Sequence, residues 1–360
     1  MSLTPCGYAR TPEKGLARLV WRAGAWVVDG PDDSDEAALR ALRGLEIAWP
    51  RQEVPLDGIM RLAAAGVPLT AADAPAWVPA GPAALLTDRA WLAHEPDGTA
   101  RCLADLRREE HSIRLRRLAA PRHPAEPLVS VVMATKRPEF VASALSQMAR
   151  QRGVRAEVLL GLHGIAFEQV REAVEGCPLP VRWVEADAGV PFGEVLNRAA
   201  ASAGGDYLTK WDDDDWYGPD HLSDLLLAAA YSGADVVGVA GEFFYLEPLN
   251  LTIRRTTFAS GASYPSEVWA DHVAGGTIVL SREKFREIGG FPALREAVDR
   301  EFLKAAAAAG ARIYRTHGLG YVLRRGLSAQ HTWRLPLAHF VKVAANQWHG
   351  FRPSLLMEAA

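Results

Sequence analysis

The chain has 360 residues, 49% of them hydrophobic, which is enough for a real core and comfortable for two domains. Forty lysines and arginines against 43 aspartates and glutamates leave a formal charge of −3, so no whole-chain field draws nucleic acid or another polyanion. Cys6, Cys102 and Cys177 are scattered without CxxC or Cys/His spacing, which argues against a zinc site or a redox pair and reads as reduced thiols in a cytoplasm.

The opening MSLTPCGYARTPEKGLARLVW lacks the uninterrupted apolar core of a signal peptide, and no later segment approaches the roughly 18 apolar residues of a membrane span. The expectation is a soluble protein. Residues 1–120 read as a mixed α/β domain of unassigned role: apolar runs LARLVW and AWVVDG, helical patterns DEAALRALRGL and GIMRLAAAGVPL, a proline-broken stretch, and the basic helix LRREEHSIRLRRLA. The proline-rich segment 121–127 reads as a linker.

From Leu128 to residue 334 the texture is strand alternating with helix. LVSVVMAT suits a strand buried on both faces, Pro138 opens a helix, and AEVLLGL, FEQVREAVEG, VRWVEA, GEVLNRAAASAGG and DYLTKW continue the alternation. Parallel neighbours need crossovers, so the fold class is α/β with a doubly wound, Rossmann-like, mostly parallel sheet. Ligands of such sheets bind beyond the carboxyl ends of the strands, where Ala134–Arg137, Leu162–Gly164 and Asp212–Asp215 all arrive.

KWDDDDWYGPD places four carboxylates between a strand end and a helix start, with Lys210 before them. Alternation along an extended segment puts Asp212 and Asp214 on one side, Asp213 and Asp215 on the other. Two carboxylates at i and i+2 can meet one hard cation, Mg²⁺ or Mn²⁺, completed by water and phosphate oxygens; the bland alternative is a solvated acidic loop.

In segment order, LVSVVMATKRPEF, NRAAASAGGDYLTKWDDDDWYGPDHL, GGTIVLSREKFREIGGFP and AVDREFL resemble the GT-A glycosyltransferases of family 2, over about residues 128–333. The resemblance implies an inverting transferase that takes a sugar from a nucleotide-diphosphate sugar, with Asp212 and Asp214 as the DxD metal ligands, completed by Mn²⁺ or Mg²⁺. It implies Thr135, Arg137, Lys210, Asp212, Asp213 and Gly276 at the nucleotide sugar, and Asp299, opening a late helix, as the base that deprotonates the acceptor hydroxyl; the alternative is an N-cap. ATKRP is a residue shorter than the commoner form of that loop. His163 stands where many relatives have an aspartate against the base, and either replaces that contact or satisfies a turn.

Gly275 and Gly276 either let backbone approach a ligand or make a turn. His331 in QHTWRLP is either a further ligand of the cation or structural, and Trp269 either stacks on a sugar or fills the core. Residues 335–360 read as an amphipathic helix and tail, carrying Leu337, Phe340, Val341 and Ala344 on one side; core packing is the first use, with a dimer seam or a weak membrane-surface contact left open. The acceptor, a small molecule or a glycan, is unspecified. The rival readings are a metal-dependent nucleotidyltransferase or phosphohydrolase on these carboxylates, which would need further metal ligands, and a non-catalytic nucleotide-sugar-binding protein.

Overall fold

The computed structural model describes residues 4–29, 35–120, 126–257, 263–326 and 336–358. The chain divides into two units, Met1–Arg122 and His123–Ala360. Most of the expected linker, residues 121–125, lies outside the described residues, as does His331.

In the first unit, β1 (Ala17–Arg22) pairs antiparallel with β2 (Ala25–Val28) and parallel with β3 (Leu45–Ala48), and β3 pairs parallel with β4 (Leu69–Thr70). The helices are α1 (Glu36–Arg40), α2 (Asp57–Ala64), α3 (Ala80–Thr87) and α4 (Leu103–Ala119), with α2 and α3 packed on α4. Leu19, Leu45, Ile47, Ile59, Leu62, Leu69, Leu86 and Leu115 form the core between them. Trp21, Trp26, Trp49 and Trp77 follow one another edge to face at 5.5–5.8 Å, a geometry favoured by the ring quadrupoles.

The second unit begins with the buried run that becomes β5 (Leu128–Thr135), followed by α5 (Pro138–Ala149), whose proline sits in the first turn. Next come β6 (Arg155–His163), α6 (Arg171–Glu175), β7 (Val181–Ala186), α7 (Phe192–Ala200), β8 (Tyr207–Lys210), the short β9 (Trp216–Tyr217) and α8 (His221–Ser232). Then follow β10 (Val236–Val239), β11 (Phe243–Leu246), β12 (Leu251–Arg255), β13 (Val268–Trp269), β14 (Val279–Ser281), α9 (Arg282–Ile288), α10 (Val298–Ala308), β15 (Ile313–Thr316), β16 (Tyr321–Arg325), α11 (Leu337–Lys342) and β17 (Ala344–His349).

Among the described residues these strands form an eight-stranded sheet, β13-β15-β10-β14-β8-β5-β6-β7, and a five-stranded sheet, β17-β12-β11-β16-β9. The parallel pairs β6–β7, β5–β6, β5–β8 and β10–β15 bear out an α/β architecture; β14 and β13 enter antiparallel. The chain runs from β5 outward through β6 to β7 and returns to the other side of β5 as β8. That reversal opens a crevice at the carboxyl ends of β5, β6 and β8.

The C-terminal segment departs from expectation. The helix stops at Lys342, and Ala344–His349 is a strand paired antiparallel with β12, Ile253 opposite Gln347. Leu337, Phe340 and Val341 keep the helical stripe, with Phe340 buried against Phe244. Beyond them, hydrogen bonding to β12 replaces helix, and the alternating burial of Ala344–His349 has period two. No helix among the described residues is long and apolar enough to cross a membrane.

Candidate active site

Thr135 ends β5, His163 ends β6 and Lys210 ends β8, so three strand ends deliver side chains to one place. They line a cavity of about 550 Å³ together with Asp212–Asp215, Gly275 and Asp299. Beneath the acid run Trp211 is fully buried and stacks on Tyr217 at 3.6 Å, and its backbone N–H reaches Val132 of β5. The indole thus belongs to the core that fixes the start of the run.

The four aspartates alternate in burial: Asp213 and Asp215 are buried, Asp212 and Asp214 partly open. Asp213 accepts hydrogen bonds from Thr135 Oγ1 and from Arg137 Nε and Nη2, while Arg137 Nη1 donates to Asp214 Oδ2 at 2.9 Å. Arg137 therefore clamps two neighbouring carboxylates, which hold its guanidinium firmly protonated against burial. Asp215 accepts from the Tyr321 hydroxyl and from the Arg324 backbone N–H at 2.9 Å. Burial raises its pKa well above the usual carboxylate range, with Asp214 and Asp212 adding to the effect.

Asp212 points elsewhere. Its Oδ1 lies 2.5 Å from Lys210 Nζ, and the same ammonium lies 3.2 Å from Asp299 Oδ1. The lysine side chain is 3% exposed, those of Asp212 and Asp299 32% and 35%. Burial lowers the pKa of Lys210, but the two carboxylates outweigh it and keep the ammonium charged. Burial, with Asp299 adding and Lys210 opposing, pushes Asp212 up to about 6.

The glycine pair explains how two carboxylates fit around one lysine. A Cβ on Gly275 would collide with the Asp299 carboxylate, and one on Gly276 would lie 2.6 Å from Asp212 Oδ2 and 2.8 Å from the Tyr217 hydroxyl. That hydroxyl donates to the Gly276 carbonyl at 3.0 Å and accepts from the Asp212 N–H at 2.9 Å. Gly275 and Gly276 thus bring backbone against side-chain oxygens that any larger residue would displace.

Asp299 stands in the first turn of α10 but is not its cap: the N-cap is Ala297, which makes no side-chain cap bond. Glu301 turns away to Lys304 and Arg300. His163 lines the cavity with its ring 6.4 Å from Phe192, and its buried Nε2 has no hydrogen-bond partner among the described residues. Trp269 lies outside the cavity lining, 52% exposed, with its edge toward Tyr314 and the Arg312 guanidinium over its face.

Sequence reasoning missed three supports of the run. Gln147 on α5 receives the Tyr217 N–H at 2.7 Å and donates to the Asp215 carbonyl at 3.2 Å. Tyr321 and Arg324 come from β16. Nothing in the local sequence marks them, because their role depends on the five-stranded sheet meeting the run.

Among the described residues no group of three His, Cys, Asp or Glu side chains forms a ready cage for a metal ion. Asp212 and Asp214 are nonetheless two carboxylates on the cavity wall. Such a pair fits a hard divalent cation that draws its remaining ligands from water and substrate phosphates.

A family model described as Glycosyl transferase family 2 matches residues 165–301, a span that includes the acid run and Asp299. The chain therefore carries a family 2-like glycosyltransferase domain over part of its length. Among solved structures, the mannosyltransferase PcManGT from Pyrobaculum calidifontis, in complex with GDP-Man and Mn²⁺, is 20% identical over 59% of this chain and 60% of its own, with a TM-score of 0.44. TarS of S. aureus is 18% identical over 55% of this chain and 36% of its own, with a TM-score of 0.41. TarS 1–349 in complex with UDP-GlcNAc is 18% identical over 60% and 64%, with a TM-score of 0.42. This chain thus spans less than two thirds of the length of each. No curated protein matches it.

Proposed function

We propose that the chain is a GT-A-type inverting glycosyltransferase that moves a sugar from a nucleotide-diphosphate sugar to an acceptor hydroxyl. The observation that supports this most is the meeting of Asp212 and Asp299 on Lys210, in one cavity at the strand ends and within the segment matched by the family 2 model.

In this reading Thr135, Arg137 and His163 lie at the nucleoside, and Asp212 and Asp214 hold Mn²⁺ or Mg²⁺. When bound, the cation offsets the charge that develops on the leaving diphosphate. Asp213, held by Thr135 and Arg137, keeps the run in place, and Lys210 orients Asp212 and Asp299 toward the same space. Asp299 takes the proton of the acceptor hydroxyl as that oxygen attacks the anomeric carbon from the side away from the diphosphate. Gly275 and Gly276 leave the room that the sugar and both carboxylates need.

The test is thermal stabilisation of the full chain by UDP-, GDP-, dTDP- and CDP-sugars with and without Mn²⁺. One nucleotide class should stabilise it in a Mn²⁺-dependent way, and Asp214→Ala should remove that dependence. No stabilisation by any nucleotide sugar, or an unchanged Mn²⁺ effect in Asp214→Ala, overturns the reading.

A further inference from the structure

The hydroxyl of Tyr217 occupies the place of a sheet hydrogen bond. β8 and β14 run antiparallel with Tyr207 opposite Ser281, Leu208 opposite Leu280 and Thr209 opposite Val279, and the Lys210 N–H continues the ladder to the Ile278 carbonyl at 3.0 Å. The same register sets Asp212 opposite Gly276, where the next ladder bond would run from the Asp212 N–H to the Gly276 carbonyl. Instead the Tyr217 hydroxyl stands between them, accepting from that N–H at 2.9 Å and donating to that carbonyl at 3.0 Å. The two segments are therefore held one hydroxyl apart at the point where Asp212 enters the cavity wall.

This wedge is fixed from behind. Tyr217 is buried, its ring stacks on Trp211 at 3.6 Å, and its own backbone belongs to the other sheet, pairing with Tyr321 of β16 and donating to Gln147 Oε1 at 2.7 Å. One side chain thus carries the position of the five-stranded sheet into the eight-stranded one. An N–H and a carbonyl taken out of a ladder both need another partner, and a hydroxyl serves one of each at once, which a phenyl ring of the same shape cannot. Next to Gly276, the Gly275 backbone lies against the Asp299 carboxylate. Asp212 and Asp299 are consequently joined twice, through their side chains by the Lys210 ammonium and through the backbone by the Tyr217 hydroxyl.

We infer that Tyr217 is a positioning residue for the proposed reaction: its hydroxyl sets the spacing between Asp212 and the Gly275–Gly276 turn, and through them the placing of the metal ligand relative to the base. The roles of Asp212 and Asp299 in this inference rest on the glycosyltransferase reading above, whereas the wedge itself rests on the hydrogen bonds alone. Tyr217 is not among the residues that line the cavity, so it acts through Asp212 and the glycine turn.

The experiment compares Tyr217→Phe with Ser130→Ala in the full chain. Ser130, near the amino end of β5 and so away from the site, donates to Glu157 Oε1 at 2.7 Å and accepts from the Gly205 N–H at 2.9 Å, so its variant loses the same kind of hydroxyl bridge. Amide hydrogen exchange, which needs no ligand, should be about tenfold faster or more at Asp212 in Tyr217→Phe than in the wild type or Ser130→Ala. Unchanged or slower exchange overturns the wedge. With the most stabilising nucleoside diphosphate bound, Mn²⁺ affinity should fall about tenfold in Tyr217→Phe, while nucleotide affinity without metal stays at the wild-type value. At saturating Mn²⁺ the kcat of nucleoside diphosphate release should fall about tenfold or more, with the donor KM unchanged. Equal losses in Ser130→Ala, or a loss of stability alone in Tyr217→Phe, make the hydroxyl structural and overturn the positioning role. If Tyr217→Phe does not fold, Gly276→Ala strains the same joint from the other side, its Cβ lying 2.8 Å from the hydroxyl, and wild-type Mn²⁺ affinity in that variant overturns the inference. If the wild type binds neither nucleotide nor Mn²⁺, the glycosyltransferase reading fails by itself, and the exchange rate at Asp212 still decides the wedge.

Discussion

Lys210 Nζ lies 3.2 Å from Asp299 Oδ1, tying the end of β8 to the first turn of α10 through one buried ammonium that also reaches Asp212. The proposed metal ligand and the proposed base are therefore not independent. Whatever moves the charge at Asp212 also acts on the partner of Asp299.

Replacing Lys210 with Met leaves two neighbouring carboxylates without their shared cation. The variant should lose about 2 kcal/mol of stability, a modest figure because both carboxylates are partly exposed. Mn²⁺ alone should then raise the melting temperature of the variant more than that of the wild type, since the metal no longer competes with an ammonium for Asp212. Equal Mn²⁺ shifts in the two proteins would show that Lys210 and the cation do not share a ligand.

Gly275→Ala and Gly276→Ala test the close approach of backbone and carboxylates. The added methyl displaces Asp299 in the first variant and Asp212 in the second. Each should lower kcat/KM about a hundredfold, the usual effect of an ångström-scale displacement of a reacting group. Gly275→Ala should preserve donor affinity, and Gly276→Ala should weaken it. Steady-state kinetics with donor-binding titrations separates these outcomes, and wild-type values for both variants would contradict the assignment.

Tyr321→Phe removes a hydroxyl donor from the buried Asp215 carboxylate and leaves the Arg324 N–H. Denaturant unfolding should show a loss of about 2 kcal/mol, the typical penalty for leaving a buried polar group without one of its partners. A loss within error of zero would mean that Asp215 is held by the backbone alone.

In the first unit, His111 donates from Nε2 to the Leu69 carbonyl at 2.7 Å and stacks on Trp91 at 4.7 Å. Burial, opposed by the Leu69 carbonyl, lowers its pKa to about 4 from an unfolded value near 6.5. Below pH 6.5 the unfolded chain takes up a proton that the folded one does not. The stability tied to His111 is intact above 6.5 and falls as pH drops toward 4, by about 3 kcal/mol in all. Urea melts at pH 7.5 and 4.5 should show a larger acid loss in the wild type than in His111→Gln; equal losses would contradict this.

The strand and helix alternation from β5 to α8 was legible because each element is local: a β-branched run, a proline at a helix start, a glycine at a helix end. The unequal burial of the four aspartates followed from alternation, and the position of Asp299 in the first turn of α10 from the helix start read at that segment. Arg137 was read as a nucleotide contact; that its side chain also engages Asp213 and Asp214, far along the chain, was not legible. Gln147 and Tyr321 were not legible, since each depends on which distant helix or strand meets the acid run. Ala344–His349 was misread for the same reason: Leu337, Phe340, Val341 and Ala344 satisfy a helical stripe locally, and only pairing with β12 makes Ala344–His349 a strand.

The central claim is tested most directly by nucleoside diphosphate release from the stabilising nucleotide sugar, with water as acceptor, in the wild type and in Asp299→Asn. The account predicts Mn²⁺-dependent release by the wild type and a loss of about a thousandfold in Asp299→Asn, with donor affinity unchanged. No release by the wild type, or equal release by both proteins, would contradict it.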